Sequence, residues 1–276
     1  MNKVSVIILN YNSSGLLFYC LRSIQRTLPS TPLEVIVVDN ASIDGSRVQL
    51  AQWQTQQPFA PLNIQVILRD HNNGYAAGNN HALRAATGDA VLILNPDISV
   101  QAGAIDALVQ YLTKHPHVGI VGPKLLNPDR SLQYSCYRFP TLAMPVYRRT
   151  PLGNTANGRR QVRQYMMMDW DHASSRRVDW IMGSAMFVRR SVLETIGGLD
   201  EQFFMYFEDT DWCRRAGNAG FEVHYHPAAT MIHYHQRQSA ELGLGMLFSR
   251  LAREHVLSGI RYFAKHRPGL LQQPHE

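Results

Sequence analysis

The sequence predicts an α/β fold: a Rossmann-like, mostly parallel sheet flanked by helices, with a helical region at the C-terminus. Three observations carry this expectation. Apolar runs without polar alternation recur at 4–9, 35–38, 64–68 and 90–94, the pattern of strands buried on both faces of a sheet. Segments of helical length separate them, at 15–26, 46–56 and 76–86, which gives a βαβα rhythm with right-handed crossovers. Each apolar run also leads into amide or acid side chains, at 10–12, 39–42, 72–73 and 95–97. Ligands in such folds bind beyond the carboxyl ends of the strands, so four polar tips converge on one crevice.

The second half is less regular. Residues 135–177 have weak periodicity and read as a long irregular excursion. Arginines 138, 148, 149, 159, 160, 163, 176 and 177 face only Asp169 and Asp171 there. Order returns at 178–189, a strand with a glycine turn. Ser191 then opens a short helix that Gly197-Gly198 closes. A helix is expected over 210–219, with acidic side chains in its first turn favoured by the helix dipole. Residues 240–266 read as helical, with apolar Leu242, Met246, Leu251, Val256, Ile260 and Phe263 among basic Arg250, Arg253, Arg261 and Lys265.

The bulk numbers narrow the function. A chain of 276 residues can bury a sizeable core. Its net charge of +6 favours anionic partners such as nucleotide phosphates or an anionic membrane face. Nucleic acid is not expected, because no aromatic-basic interleaving or binding motif is present. Cys20, Cys136 and Cys213 lack metal-site spacing and suit a reducing cytoplasm. The run 4–9 is too short for a signal peptide, and no stretch of about 18 apolar residues spans a membrane. The basic C-terminal stretch suits peripheral contact with an anionic membrane, or packing on the main domain with its basic face solvated.

Chemistry concentrates at a few places. Glu208, Asp209 and Asp211 put three carboxylates within four positions of an apolar and aromatic stretch. Such crowding raises pKa values and is tolerated where a base or a cation needs it. Glu208-Asp209 can supply a general base, and Asp211 can cap the helix or pair with Arg214 or Arg215. Asn95-Pro96-Asp97 ends a buried strand, so Asp97 can offer a hard oxygen to Mg²⁺ or Mn²⁺. Asp39 can accept the ring N–H of a pyrimidine or close an Asx turn. The turn 72–80 brings small and amide residues, Asn73 and Asn79 among them, to a close backbone approach. His224/His226 and His233/His235 each share a strand face, one histidine ligating the cation and the other pair paving a polar cleft. No cysteine spacing supports a full zinc site.

Taken in order and spacing, these motifs resemble the inverting family 2 glycosyltransferases of the GT-A fold. The nearest look is that of bacterial rhamnosyltransferases that build O-antigen and related cell-surface polysaccharides. The resemblance rests on VSVIILNYN (4–12), VVDNASIDGS (37–46), NNGYAAGNN (72–80), LILNPDI (92–98), SCYRFP (135–140), VDWIMGSAMFVRR (178–190), the segment 197–221 with MYFEDTDWCRR, and HPAATMIHYHQRQS (226–239). It implies a glycosyltransferase domain over 1–239, divided into a nucleotide-binding half (1–98) and an acceptor and catalytic half (99–239). The region 240–276 follows.

The resemblance also implies roles. Asn10 and Tyr11 line the nucleotide pocket, Asp39 reads the base, and Asn73, Asn79 and Asn95 contact the ribose, sugar or phosphates. Gly183, Ser184 and Trp180 lie on the acceptor side. Asp209 is the catalytic base with Glu208 beside it, and His233 approaches the metal or diphosphate. The family's DxD motif reads Asn95-Pro96-Asp97 here, one carboxylate fewer, so Mg²⁺ or Mn²⁺ is held through Asp97, His233 and donor phosphates. The implied donor is dTDP-rhamnose, with a UDP-hexose as the alternative. The implied acceptor is a saccharide, polyprenyl-linked at the cytoplasmic face of the plasma membrane. Two other classes remain open: a nucleotidyltransferase, though residues 10–15 lack a basic phosphate loop, and a non-catalytic nucleotide-sugar binder, which would not need Glu208-Asp209.

Overall fold

Four parallel strands bring the chain's polar tips to one side. The computed structural model describes residues 1–234 and 250–266. Strands β1 (Val4–Asn10), β2 (Leu33–Asp39), β3 (Ile64–Leu68) and β4 (Ala90–Leu94) run parallel in the order β3-β2-β1-β4. Every residue of β1 and β4 is buried, which is why their sequences lack alternation. Helices α1 (Ser14–Arg26), α2 (Ser46–Gln56) and α3 (Tyr75–Ala85) make the crossovers. The α1 stripe of Leu17, Cys20, Leu21 and Ile24, at helical spacing, packs into the core on one face of the sheet. On the other face Ala76, Ala82 and Leu83 of α3 join Ile7, Leu9, Ile36 and Val38.

The sheet continues beyond β4 as β11-β6-β12-β5. These are β5 (Ile98–Val100), β6 (Val118–Leu126), β11 (Ala185–Arg189) and β12 (Glu222–His233), with α4 (Ala104–Lys114) between β5 and β6. Here the sheet is mixed. β11 is antiparallel to both β4 and β6, so β6 points the same way as β4. β12 is parallel to β6 and antiparallel to β5. Short strands β7 (Leu132–Gln133) and β9 (Arg176–Arg177) pair with β6 and β12, and β8 (Cys136–Tyr137) pairs with β10 (Trp180–Ile181) in a separate ribbon.

Several expectations are corrected. The stretch 135–177 is not an irregular excursion but carries α5 (Met144–Arg149), a 3₁₀ turn at Pro151–Asn154 and α6 (Ala156–Tyr165). Their apolar residues close over Tyr137, Met144 and Tyr165 as a small satellite core. Helix α7 (Arg190–Ile196) begins at Arg190, so Ser191 lies inside it rather than capping it. His224 and His226 do not pave the cleft of strand tips. They lie on the first half of β12, and because β12 runs with β4, that half is at the opposite end of the sheet. His235 lies outside the described residues, as do 240–249 and 267–276.

Helix α8 (Glu208–Asn218) follows a strained entry. Tyr206 and Phe207 have φ of 71° and 68°, left-handed values that cost a bulky residue about 1–3 kcal/mol each. Helix α9 (Arg250–Lys265) holds this loop in place. The Ser258 hydroxyl donates to the Met205 carbonyl at 2.9 Å. The rings of His255 and Tyr262 pack on Phe207 at 5.4 and 5.2 Å.

Candidate active site

The tip of β4 and the start of α8 meet through one tyrosine. Tyr75 opens α3, and its hydroxyl lies 2.7 Å from the Gly183 carbonyl and 3.2 Å from Asn95 Oδ1. The Gly183 amide in turn donates to Asp209 Oδ2 at 2.8 Å. The Asn95 amide donates to the Ser184 carbonyl at 2.9 Å. The 183–184 turn is thus stitched to both acid-bearing segments. The Tyr75 phenol is pushed well above its usual pKa, first by burial, then by Glu208 and Asp209, with Asp97 adding to them. One side chain therefore feels the acids of both segments. Tyr75 gave no sequence signal of its own within NNGYAAGNN.

The turn before α3 requires glycine. Gly74 has φ of 97°, and a Cβ there would run into the Phe204 carbonyl. That carbonyl accepts the Tyr75 amide at 2.7 Å. The strained 204–207 loop is thereby bonded directly to the head of α3.

Glu208 is buried and Asp209 beside it is half-buried. Burial first, and the charge of Asp209 second, hold Glu208 well above the usual carboxylate range. Glu208 Oε2 is buried without a hydrogen-bond partner among the described residues. Burial raises Asp209 as well, but the amides of Gly183 and Thr210 donate to it and favour its charged form. These amides favour the charged form on Asp209, whereas Glu208 has no side-chain partner among the described residues at Oε2. Asp211 has a different duty. Burial works against its charge, yet His266, Lys265 and Arg215 all donate to it, at 2.8, 2.7 and 2.7 Å, and leave it at about 2. Of the two arginines proposed as its partner, Arg215 is the one that pairs; Arg214 lies over the Phe139 ring instead.

Asp97 sits beside β5 with Oδ2 3.2 Å from His233 Nε2. His233 Nδ1 lies 2.7 Å from Gln133 Oε1, so that bond orients the ring with Nε2 towards Asp97. Asp97 Oδ1 is buried without a hydrogen-bond partner among the described residues. Cis ligands of an octahedral ion at 2.0–2.1 Å lie about 3 Å apart, so the Asp97–His233 spacing suits two neighbouring positions on one ion. An oriented imidazole and an unspent carboxylate oxygen fit a divalent cation.

The remaining candidates divide by place. Asn10 and Asp39 share the adjoining tips of β1 and β2, Asn10 Nδ2 donating to Asp39 Oδ2 at 2.9 Å. The Ser42 amide takes Asp39 Oδ1 at 3.0 Å, so Asp39 closes an Asx-type turn while Asn10 Oδ1 is a buried acceptor without a partner among the described residues. Tyr11 beside them is 47% exposed, a free ring face at the same tip. Asn73 is exposed on the loop before α3. Asn79 is buried in α3 and donates to the Tyr75 carbonyl at 3.0 Å. Ser184 is buried with its hydroxyl unpartnered among the described residues. Trp180 stacks on Tyr137 at 4.4 Å, and Tyr137 and Tyr165 both feel the charge of Asp209. An aromatic wall thus flanks the acid pair.

Comparisons with known proteins identify the family and the fold. The family model described as "Glycosyl transferase family 2" matches residues 5–195. The chain is 32% identical over 222 residues to an N-acetylglucosaminyl-diphospho-decaprenol L-rhamnosyltransferase of Mycobacterium tuberculosis, covering 74% of this chain and 67% of that protein. It is 30% identical over 200 residues to the rhamnosyltransferase WbbL of Escherichia coli, covering 71% and 70%. Among solved structures, the mannosyltransferase PcManGT from Pyrobaculum calidifontis, in complex with GDP-Man and Mn²⁺, superposes with a TM-score of 0.62 at 22% identity. That match covers 95% of this chain and 64% of the other. GalNAc-T7 with UDP, GalNAc and Mn²⁺ gives a TM-score of 0.64 at 14% identity, over 86% of this chain and 44% of the other. Fold and sequence matches lead to one conclusion: the chain is a glycosyltransferase of the GT-A fold and belongs to glycosyl transferase family 2.

Proposed function

We propose that the protein transfers L-rhamnose, with inversion, from dTDP-rhamnose to a hydroxyl of a lipid-linked saccharide in cell-surface polysaccharide synthesis. The observation that carries the reading is the Tyr75 hydroxyl bridging Gly183 and Asn95, which ties the turn bonded to Asp209 to the strand tip that leads into Asp97. The rhamnosyl detail is supported by both bacterial relatives, which are rhamnosyltransferases, and the lipid-linked detail by the diphospho-decaprenol acceptor of the Mycobacterium tuberculosis one.

The chemistry follows from the residues. The donor base lies against the β1 and β2 tips, with Tyr11 as a stacking face and Asn10 and Asp39 as acceptors for its ring N–H. The sugar lies under the 183–184 turn. The acceptor hydroxyl enters along the aromatic wall of Trp180, Tyr137 and Tyr165. Asp209 takes its proton as the acceptor oxygen bonds to C1 and the C1–phosphate oxygen bond breaks, the electron pair leaving with the diphosphate. Attack from the opposite face inverts the anomeric centre, through an oxocarbenium-like transition state. Asp97 and His233 would hold Mg²⁺ or Mn²⁺, which when bound offsets the charge gathering on the departing diphosphate. Both solved relatives cited above carry Mn²⁺ with a nucleotide or nucleotide sugar.

The test is a panel of dTDP-, UDP- and GDP-sugars offered to purified protein with Mn²⁺ and a polyprenyl-diphospho-saccharide, with the product's anomeric configuration read by NMR. The reading expects dTDP-rhamnose to be consumed and an inverted linkage to form. Turnover of a UDP-hexose alone would replace the donor, and retention at C1 would overturn the mechanism.

A further inference from the structure

At the end of the sheet away from the cleft, three side chains converge with no duty in the transfer reaction. His117 lies in the turn between α4 and β6, and Glu222 and His224 lie at the head of β12. The backbone fixes them together, since the Glu222 amide donates to the His117 carbonyl at 3.0 Å. His224 Nε2 lies 2.7 Å from Glu222 Oε2, and His117 Nε2 lies 3.5 Å from the same oxygen. One ligand-capable atom from each of the three falls within 4.8 Å of the others.

We propose that His117, Glu222 and His224 form a second metal site, for a borderline transition ion such as Zn²⁺, which clips the α4–β6 turn to the start of β12. Two imidazoles and a carboxylate are a donor set for Zn²⁺, with water in the fourth position. With bonds of 2.0–2.2 Å, tetrahedral ligand atoms sit about 3.4 Å apart. The His117–Glu222 spacing already meets that, and the His224–Glu222 spacing opens by about 0.7 Å to meet it. Glu222 is only partly buried, so its carboxylate can rotate by that amount.

The surroundings orient the ligands as a metal site requires. His224 Nδ1 lies 2.8 Å from the Tyr111 hydroxyl, which fixes the ring with Nε2 towards Glu222, as outer hydrogen bonds commonly do for metal-bound histidine. Tyr111 itself is clamped between the rings of His115 and His226, each 4.2 Å away. Arg177 takes the other carboxylate oxygen, Oε1, at 3.4 Å, and leaves Oε2 to the metal. His117 is exposed, so an ion enters from solvent. Imidazole ligation favours Zn²⁺ over Mg²⁺, whereas Asp97 and the donor phosphates offer harder oxygen ligands. The two sites therefore differ in metal preference as well as in place.

The test is calorimetric titration of Zn²⁺ alone into the full chain in excess Mg²⁺, with melting temperature as a second readout. Asp97→Asn removes a cleft ligand, and His71→Ala removes an exposed histidine at the other end of the sheet. Wild type, Asp97→Asn and His71→Ala are expected to bind one Zn²⁺ per chain and to melt higher with it. His117→Ala, an exposed change, should weaken binding by roughly ten-fold or more while circular dichroism and Mn²⁺-supported turnover stay at the wild-type level. Glu222→Gln should repeat the loss. Zinc binding that survives His117→Ala and Glu222→Gln, that vanishes in Asp97→Asn, or that never saturates would overturn the proposal.

Discussion

A carboxylic acid serves as a base only if it is ionised at the working pH, and the residues around Asp209 decide this. Burial raises it, while the Gly183 and Thr210 amides pull the other way. Glu208, with a buried oxygen that no described residue satisfies, is held well above the usual carboxylate range by burial and by the charge of Asp209. The acid limb of kcat against pH should therefore lie above the usual carboxylate range and shift in Glu208→Gln, which removes the competing charge. A pH–rate profile of both proteins checks this. The sign for stability is the reverse: acids with raised folded pKa values stabilise at low pH, and that contribution is lost as pH rises through them. Tyr75→Phe tests the bridge. It leaves the Gly183 carbonyl, the nearer of the hydroxyl's two neighbours, without its donor, a loss of about 1–3 kcal/mol, and should lower kcat more than donor affinity. Steady-state kinetics and donor titration separate the two. Tyr75 was not legible in the sequence, because nothing in its neighbours shows that its hydroxyl crosses to a turn 108 positions later. Asp97 and the Glu208-Asp209 pair could be singled out in the sequence because one ends a buried apolar run and the other belongs to three carboxylates within four positions.

Among the elements, α9 is the brace of the acid-bearing loop. Asp211 in α8 receives Lys265 and His266 from the end of α9 as well as Arg215. Asp211→Asn leaves these cations without their charge partner, and a cost of about 3 kcal/mol follows, read as a lower denaturant midpoint. Its depressed pKa contributes stability that is complete above the normal 3.8 and lost as pH falls through about 2. Wild type should therefore lose more stability than Asp211→Asn across that window, measured by urea titration at successive pH values. Gly74→Ala should also unfold readily or fail to fold, since its backbone is left-handed and the Phe204 carbonyl occupies the Cβ position. β1, β2 and β4 were read within one or two residues because both faces are covered, and β3 was read at its full span from its apolar run, although none of its residues is fully buried. α5 and α6 were missed because their Arg-rich surfaces hide the periodicity, although Thr155 caps α6 by accepting from the Gly158 amide, a readable start signal. β12 was read in pieces because a register shift between His226 and Thr230 interrupts its alternation. The left-handed pair Tyr206-Phe207 leaves no trace in composition at all.

For the molecule as a whole, the sheet separates two ends. One carries the strand tips, the acids and the aromatic wall, and the other carries the histidine cluster around Tyr111. Among the described residues no helix is long and apolar enough to cross a membrane. α9 nonetheless exposes Val256, Leu257 and Ile260, with Arg253 and Arg261 also at the surface. We propose that this face touches an anionic bilayer where a lipid-linked acceptor would reside. Flotation with anionic liposomes should recover wild type, and Ile260→Asp should lower the bound fraction several-fold. The central claim is that Asp97 and Asp209 hold opposite duties across one cleft. Donor titration with Mn²⁺ paired with single-turnover kinetics, in Asp97→Asn and Asp209→Asn side by side, tests it most directly. The account predicts that Asp97→Asn loses Mn²⁺-dependent donor affinity, while Asp209→Asn binds donor as wild type does and turns over about 10²–10⁴-fold more slowly. Near-normal turnover in Asp209→Asn, or donor affinity untouched in Asp97→Asn, would contradict it.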